Sequence, residues 1–296
     1  MNTIGEKYRF TSFGESHGPA VGGVIDGCPA GLRIDMKLIR EDLLRRRTGG
    51  SERAAAEPDE VEWLSGLLNG VTLGTPIAFL IRNKAARPED YEALKNVYRP
   101  GHADYTYEAK YGIRDIRGGG RASARETASR VVAGSIAKQL LQQQGIEIHA
   151  ELVRVGKAQN KELFAAEIAN AKADGDSVGG IVSCVISGVK AGIGEPIFDK
   201  VQARLAYAML SINACKGFEY GVGFASAEKR GSEINHISGG IAGGITDGTD
   251  ITFRVVFKPT PSIGIPGRFD ACVAVRAVPV VEAMAAMTIY DYLVKN

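Results

Sequence analysis

The spacing of apolar residues predicts helices and strands that alternate along the chain. Residues 33–47 form an amphipathic stretch with a basic C-terminal end, and Asp35 stands where a helix N-cap belongs. Residues 124–145 repeat apolar positions with a helical period up to Gly145, a residue suited to ending a helix. In 146–156 apolar and polar residues alternate, as they do in a half-buried strand.

The second half of the chain continues this mixture. Residues 197–211 and 277–294 are predicted helices, and 179–189 and 251–259 are predicted strands. The 37 glycines are spread over many loops, and the sequence contains no repeat and no low-complexity run. The pattern favours an α/β or α+β fold in one domain.

Composition limits the classes of partner that the protein can recognise. A chain of 296 residues with 45% apolar composition is long enough to bury a sizeable core. Thirty-six basic residues stand against 34 acidic ones, which gives a net charge of +2. So small a charge argues against a nucleic-acid-binding or membrane-binding surface, because both need an extended basic face. Recognition of anions must therefore be local.

Cysteine usage and the absence of targeting signals predict a cytoplasmic protein. Cys28, Cys184, Cys215 and Cys272 lie far apart, with no Cys-x-x-Cys pair and no histidine at metal-ligand spacing. They predict reduced structural thiols rather than a metal site or disulfides. The N-terminus has no apolar core of signal-peptide length, and no window approaches the length of a membrane span.

The stretch "DIRGGGRASARET", residues 115–127, predicts an anion site. Three consecutive glycines precede a predicted helix and allow a ligand to approach the backbone. Arg121 and Arg125 are four apart and share a face, while Arg117 enters from the other side of the glycines. Free amides of a first helical turn, guanidinium groups and the Ser123 hydroxyl together suit phosphate. The alternative is a surface helix whose arginines pair with a neighbouring glutamate.

Two histidines lie in glycine-containing turns that can present a side chain to a ligand. His17 belongs to "FGESHGPAVGG", and His102 follows a Pro-Gly pair and precedes Asp104. Because histidine exchanges protons near neutral pH, the two predict an acid or base pair. His149, in a strand-like run, and His236, in a polar loop, are interpreted as structural. The serine before His17 is not interpreted as a nucleophile, since adjacent side chains rarely point at each other.

Several longer motifs in a fixed order resemble those of chorismate synthases. They are "FGESHG", "RPGHADYTYEAKYGIRDIRGGGRASARET", "KPTPSI" and "GRFDACVAVRAVPVVEAM". The stretches between them fit the same pattern, so the likeness covers nearly the whole chain. The resemblance implies an α+β fold, a β-α-β sandwich in which antiparallel sheets enclose helices. It also implies one large domain over residues 1–296 and assembly as a homotetramer.

The resemblance implies a lyase of the shikimate pathway. Such enzymes convert 5-enolpyruvylshikimate 3-phosphate to chorismate and phosphate by a 1,4-elimination, and they require reduced flavin mononucleotide (FMN) although no net redox change occurs. Some members reduce the flavin with their own NADPH activity and others rely on an outside reductant. The sequence leaves the choice of reductant open. The resemblance also explains the arginine-rich stretch, because substrate and cofactor are both anions.

Residue roles follow from the resemblance, position by position. His17 is expected to protonate the departing phosphate, His102 to protonate or steady the reduced flavin, and Asp270 to help remove the ring proton. The expected substrate-binding residues are Arg46, Arg99, Arg117, Arg125 and Arg268. The expected cofactor-binding residues are Arg121, Ala122, Ser123, Asn213, Ala214, Gly243, Lys258, Pro259, Thr260, Pro261, Ser262 and Arg268.

Three segments are shorter than the family pattern, near residues 48–53, 235–238 and 262–267. Thr48 stands where relatives have a proline, and only "GIPG" remains between "KPTPSI" and "GRFD". Either these loops are trimmed or the sequence omits segments that belong to them. Their shared position beside ligand motifs favours omission, because cofactor-lining loops often order only on binding.

Two other functions remain as alternatives. An RNA-binding module could stack bases on Tyr105, Tyr107 and Tyr111, but the near-neutral charge and the acidic residues among the arginines argue against it. A phosphate-handling enzyme without flavin, such as a transferase, would differ by binding no flavin when the purified protein is incubated with it.

Overall fold

A computed structural model of the protein describes residues 1–48, 56–234, 237–261 and 270–295. The predicted short segment 262–267 lies wholly outside these ranges, 48–53 lies outside them except for residue 48, and 235–238 lies outside them at residues 235 and 236. The strands are β1 Thr3–Ile4, β2 Arg9–Gly14, β3 Ala20–Asp26, β4 Ala30–Arg33, β5 Val61–Trp63, β6 Leu67–Leu68, β7 Val71–Leu73, β8 Ile77–Arg82, β9 Glu147–Val155, β10 Gly180–Ser187, β11 Cys215–Tyr220, β12 Ile241–Ala242, β13 Ile245–Thr246 and β14 Ile251–Phe257. The α-helices are α1 Met36–Thr48, α2 Asp104–Tyr111, α3 Thr127–Gln142, α4 Phe164–Ala173, α5 Val201–Leu210, α6 Gly231–Ile234 and α7 Val273–Leu293.

Two antiparallel sheets form the outer layers of the molecule. The first sheet has the strand order β1-β2-β3-β8-β5, and the second has the order β11-β14-β10-β9. In the second sheet Cys184 of β10 pairs with Phe253 of β14 on one side and with Ala150 of β9 on the other. Every second residue of β10 and β14 is buried, as the alternating sequence predicts for sheets with one face on the core.

Helices α3 and α7 fill the space between the two sheets. Helix α3 packs on β2, β3 and β8 of the first sheet, and α7 packs on β9, β10 and β14 of the second. The two helices cross at Gly134, where a Cβ atom would lie 2.2 Å from the Cβ of Ala283. Only a residue without a side chain fits this crossing. The predicted α+β fold, with antiparallel sheets that enclose helices, is confirmed.

Predicted helix positions agree with the structure to within a few residues. The Asp35 carboxylate accepts from the backbone N–H groups of Lys37 at 2.8 Å and Leu38 at 3.2 Å, so it caps α1 as predicted. Helix α3 begins at Thr127 rather than at 124, because two short 3₁₀ turns, Gly120–Ala122 and Ala124–Glu126, precede it.

Helix α7 differs from the prediction in two ways. It begins at Val273, before the predicted start at 277, and it continues through Pro279, a residue that ordinarily favours a first turn. It is also long and apolar enough to cross a membrane, so the expectation that no window approaches a span was wrong. Since 83% of that window is buried inside the molecule, α7 is explained as a core helix.

The four cysteines are free thiols, as predicted. Cys28, Cys184 and Cys272 are buried and Cys215 is half-buried. Burial raises the pKa of the Cys28 thiol to about 12, so this group stays protonated and unreactive near neutral pH.

Candidate active site

A cavity of about 650 Å³ opens at the N-terminal ends of the two central helices. Its walls come from the turn after β2, the C-terminal part of α1, the segment 99–126, the α5–β11 connection and the residues after β14. The first turns of α3 and α7 also contribute. The volume lies within the usual range of about 300–1,000 Å³ for small-molecule sites. The positive ends of both helix dipoles lie at this site and favour an anionic ligand.

The structure brings together most of the side chains that the sequence singled out. The cavity is lined by the expected residues His17, Arg46, Arg99, His102, Arg121, Ala122, Ser123, Arg125, Asn213, Ala214, Lys258, Thr260, Pro261 and Asp270. Ser262 and Arg268 lie outside the described residues.

Three expected residues do not line the cavity. Arg117 pairs with Asp115 at 2.9 Å and is 49% exposed. Gly243 lies in the exposed turn between β12 and β13. Pro259 stands between the lining residue Lys258 and its neighbour Thr260 without contributing to the wall.

The glycine turn brings the backbone into contact with His17. A Cβ atom on Gly118 would lie 2.1 Å from Nδ1 of His17, and the φ of this glycine is +149°. Any larger residue would therefore displace the imidazole. After the turn, the Ser123 hydroxyl accepts from the backbone N–H of Arg125 at 3.3 Å. The glycines thus position a histidine as well as open the backbone to a ligand.

His17 is buried among polar and aromatic partners. Its Nδ1 lies 2.9 Å from Oγ of Ser16, so the two adjacent side chains do contact each other, and the expectation that they would not was wrong. The ring of Tyr91 packs edge-on against the imidazole, with 4.8 Å between the ring centres. The same ring stacks against the guanidinium of Arg99 at 5.7 Å. Tyr91 therefore joins the two walls that hold His17 and Arg99.

His102 is held by Asp104, the first residue of α2. Nδ1 of His102 lies 2.9 Å from Oδ1 of Asp104. The same carboxylate accepts from Nε and Nη2 of Arg99, at 2.8 and 2.7 Å, and pairs with Arg114 at 3.2 Å. Burial alone raises the pKa of Asp104, but the hydrogen bonds from Arg99 outweigh burial and leave the pKa well below its usual range. Asp104 is therefore an anion that contacts three basic side chains.

Arg46 and Arg125 share a second buried carboxylate, Asp59. Arg46 donates to Asp59 at 2.7 Å, and Arg125 donates to its other oxygen. Burial, together with the neighbouring Arg276, lowers the pKa of Arg46 to about 10, so the guanidinium stays charged at neutral pH. Asp59 adopts a φ of +51°, which is rare for a residue with a side chain and common at functional sites. Glu57, also buried, lies 3.9 Å from Arg125. Two cations thus face the cavity with Asp59 as a shared counter-ion and Glu57 as a more distant one.

Sequence reasoning missed several residues in the cavity wall. Arg130 pairs with Glu126 at 2.9 Å, and Arg276 pairs with Asp270 at 2.7 Å. Both arginines were within reach of the sequence, since Arg130 is one helical turn from Glu126 and Arg276 belongs to a motif quoted above. Asp59 carried no signal, because it is 66 residues from Arg125. The other missed lining residues include Glu57, Tyr91, Tyr107 and Ser211.

The wall around Asn213 has features that fit a flavin. Nδ2 of Asn213 donates to the carbonyl of Ala122 at 2.9 Å, whereas its buried Oδ1 has no partner among the described residues. Such an acceptor can receive an N–H of a ligand. Ala214 has a φ of +66°, and its carbonyl accepts from the backbone N–H of Lys258 at 3.0 Å. The Lys258 ammonium in turn donates to the carbonyl of Gly101 at 3.0 Å, beside His102.

The balance of charge makes the cavity a site for anions. Its basic side chains are Arg46, Arg99, Arg121, Arg125, Arg130, Lys258 and Arg276. Within the described part of the chain, Arg121 is bound by Ser12 and by the carbonyl of Gly14 rather than by a carboxylate. Two histidines lie among these cations. The arrangement can bind a small polyanion and exchange protons with it.

A family model described as "Chorismate synthase" matches residues 8–294. A chorismate synthase of Porphyromonas gingivalis is 50% identical over 349 residues, with 98% of this chain and 95% of the relative covered. One of Phocaeicola vulgatus is 50% identical over 348 residues, with 99% and 97% covered. Both alignments are longer than the 296 residues of this chain, so parts of the relatives have no counterpart here.

A solved structure agrees with the fold. The structure titled "Crystal Structure of Chorismate Synthase" superposes with a TM-score of 0.82 at 30% identity. The match covers 99% of this chain and 93% of that chain.

Proposed function

This chain belongs to the chorismate synthase family, and from that premise we propose that it converts 5-enolpyruvylshikimate 3-phosphate to chorismate and phosphate with reduced FMN as cofactor. Membership makes it a lyase of the shikimate pathway. The observation that carries the finer proposal is the cavity itself, where two histidines lie among more basic than acidic side chains. A substrate with one phosphate and two carboxylates needs such an excess of positive charge.

Arg46, Arg99 and Arg125 are proposed to bind the substrate. Each is anchored to a buried carboxylate, so its guanidinium is already oriented when the substrate arrives. Asp59 and Asp104 pair with these arginines, and Glu57 lies 3.9 Å from Arg125, but the cavity wall as a whole carries seven basic and three acidic side chains. The remaining charge favours an anion in the cavity.

Reduced FMN, when bound, supplies an electron to the substrate that returns as the ring hydrogen leaves. Arg121, Ser123 and Lys258 are proposed to hold its phosphate and polar groups. Oδ1 of Asn213, which has no partner among the described residues, is proposed to accept one of its N–H groups. Ala214, Thr260 and Pro261 complete that wall. Ala122 also lines the cavity, whereas the remaining expected contacts, Gly243, Pro259, Ser262 and Arg268, rest on the resemblance alone. NADPH or an outside reductant would keep the flavin reduced.

Protons are proposed to move through three side chains. His17, held between Ser16 and Tyr91, would protonate the departing phosphate. His102 would steady the reduced flavin, and Asp270, paired with Arg276 at 2.7 Å, would assist removal of the ring proton. His17 is buried and the other two groups are half-buried, which limits the access of water to them.

A cytoplasmic homotetramer is proposed as the working form. Exposed apolar side chains support association, since Phe198 is 92% exposed and Phe224 is 84% exposed. Sedimentation of the purified protein would measure the number of subunits directly.

Binding and product analysis test the proposal separately. Titration with FMN should quench the flavin fluorescence, and Asn213→Ala should weaken binding. Incubation of 5-enolpyruvylshikimate 3-phosphate with the protein and reduced FMN should release chorismate and phosphate in equal amounts. Phosphate release without chorismate would indicate a different phosphate-handling enzyme.

A further inference from the structure

Asp104 contacts a predicted proton-exchanging residue and a predicted substrate-binding residue with one carboxylate. The carboxylate is 4% exposed and lies at the N-terminal end of α2. It accepts three hydrogen bonds from Arg99, including one from the backbone N–H at 3.0 Å. Its Oδ1 also lies 2.9 Å from Nδ1 of His102.

The charge of Asp104 decides which atom carries the proton in the contact with His102. An ionised carboxylate can only accept hydrogen bonds. The Arg99 and Arg114 side chains that surround Asp104 favour this ionised form. Nδ1 of His102 must therefore be the donor, and in the neutral ring the other nitrogen, Nε2, keeps its lone pair.

We propose that Asp104 is a positioning residue that fixes His102 in the tautomer with its proton on Nδ1, so that Nε2 serves as a hydrogen-bond acceptor in the cavity. The role of the imidazole toward the flavin rests on the proposed function, whereas the tautomer stands without it. A neutral His102 would accept a hydrogen bond from an N–H group of the ligand instead of acting as a general acid. This choice decides between the two roles that the resemblance left open for His102.

Neighbouring groups support a neutral ring. The charged groups that act on His102 are Arg99, Asp104 and Lys258. Burial and the Arg99 charge lower the pKa of His102, and the attraction of Asp104 opposes them without reversing the direction. The turn itself is fixed, because Gly101 packs against Pro261 and its carbonyl accepts from the Lys258 ammonium.

The direct test is a long-range ¹H–¹⁵N spectrum of the histidine-labelled protein without ligand. The His102 signals are identified by their absence from a His102→Gln variant. We expect the pattern of a neutral ring with the proton on Nδ1 at pH 7. Asp104→Asn should lose that preference, because an amide can donate as well as accept. It should also move the titration midpoint of His102 to lower pH, because the attraction of an anion is lost.

Glu108→Gln is the matched control. Glu108 lies in the same helix and pairs with Arg114 at 3.0 Å, as Asp104 also pairs with Arg114, but it is 41% exposed. Its substitution should leave the tautomer and midpoint of His102 unchanged. A wild-type ring with its proton on Nε2, or an Asp104→Asn spectrum identical to wild type, would overturn the proposal. If Asp104→Asn does not fold, the wild-type tautomer alone decides.

Kinetics add a second readout. Asp104→Asn should lower kcat at least about tenfold, since in the wrong tautomer Nε2 could no longer accept the ligand N–H and would misorient the ligand. FMN affinity should change far less than kcat, because the flavin contacts proposed for Asn213 and Lys258 are intact. Equal loss of FMN affinity and kcat would contradict a positioning role. An inactive wild-type protein with the expected tautomer would instead contradict the proposed function.

Discussion

Two buried carboxylates organise the basic side chains at the cavity. Asp59 holds Arg46 and Arg125, and Asp104 holds Arg99 together with His102. An arginine that is fixed by a buried anion loses little further conformational freedom on binding a ligand. The cost is the removal of each carboxylate from water, which the paired guanidinium groups offset.

The contact between Gly118 and His17 leads to the first prediction. Gly118→Ala should lower kcat at least about tenfold, because the new Cβ would overlap Nδ1 of His17 at 2.1 Å and misplace the imidazole. Steady-state kinetics of the folded variant measures the effect. Gly231→Ala is the control, since nothing lies within 4 Å of a Cβ there. Full activity of Gly118→Ala would show that catalysis does not depend on the position in which Gly118 holds His17.

The position of Arg125 leads to the second prediction. Arg125→Ala should weaken substrate binding roughly tenfold or more, the value of a lost hydrogen bond to a charged group. Calorimetric titration with substrate and oxidised FMN measures the affinity. Arg82→Ala is the matched control, because Arg82 also pairs with a carboxylate, Glu62 at 2.9 Å, but is 51% exposed. Unchanged substrate affinity in folded Arg125→Ala would assign Arg125 to structure alone.

Single residues were predictable from the sequence only where a local pattern or motif carried them. Asp35 was found as a cap because its partners follow it directly. The partnership of Asp59 with Arg125 depends on tertiary structure, and no local spacing indicates it. Arg117 was expected from the motif to bind substrate, but it pairs with Asp115 and does not line the cavity, because a motif does not fix the direction of an exposed side chain.

At the scale of elements, the crossing of α3 and α7 sets the position of the cavity. Both helices present their N-terminal ends at the same side of the molecule, and their close approach depends on Gly134. The helices were predicted from their periodicity. Their pairing and the order of strands were not, because strand order depends on contacts between distant segments.

The third prediction concerns that crossing. Gly134→Ala should lower the free energy of unfolding by about 1–3 kcal/mol, because an added methyl group would overlap Ala283 and force the helices apart. Urea unfolding measures the change. Gly231→Ala, with open space around it, should leave stability nearly unaltered. A Gly134→Ala protein as stable as wild type would mean that the helices separate at little cost.

Glu282 links α7 to three other elements. Its carboxylate pairs with Arg45 of α1 at 2.8 Å and with Lys138 of α3 at 3.0 Å. It also accepts from the backbone N–H of Ala150 in β9 at 3.1 Å. Burial raises the pKa of Glu282, but Arg45 and Lys138 outweigh burial, so the pKa lies below its usual value.

The fourth prediction is the pH dependence of stability. Because the folded state lowers the pKa of Glu282, its stabilisation is complete above the unfolded value and is lost as the pH falls through the folded value. Glu282→Gln should lower stability by about 3 kcal/mol at pH 7 and flatten the decline below roughly pH 5. Urea unfolding across pH measures both. Exposed Glu228→Gln should behave as wild type, and an equally steep decline in Glu282→Gln would assign the effect to other carboxylates.

At the scale of the whole molecule, a nearly neutral protein concentrates positive charge in one cavity. The net charge is +2, yet basic groups outnumber acidic ones in the cavity wall. Such a local excess of positive charge favours small phosphorylated ligands, as the proposed substrate and cofactor are.

The central claim is that the cavity performs a phosphate elimination that needs reduced flavin. The direct measurement is an anaerobic assay of the protein with 5-enolpyruvylshikimate 3-phosphate that follows chorismate and phosphate together, with reduced, oxidised or no FMN. We predict equal release of both products with reduced FMN and none in the other two samples. Turnover that is independent of flavin, or no turnover by folded protein with reduced FMN, would contradict the account.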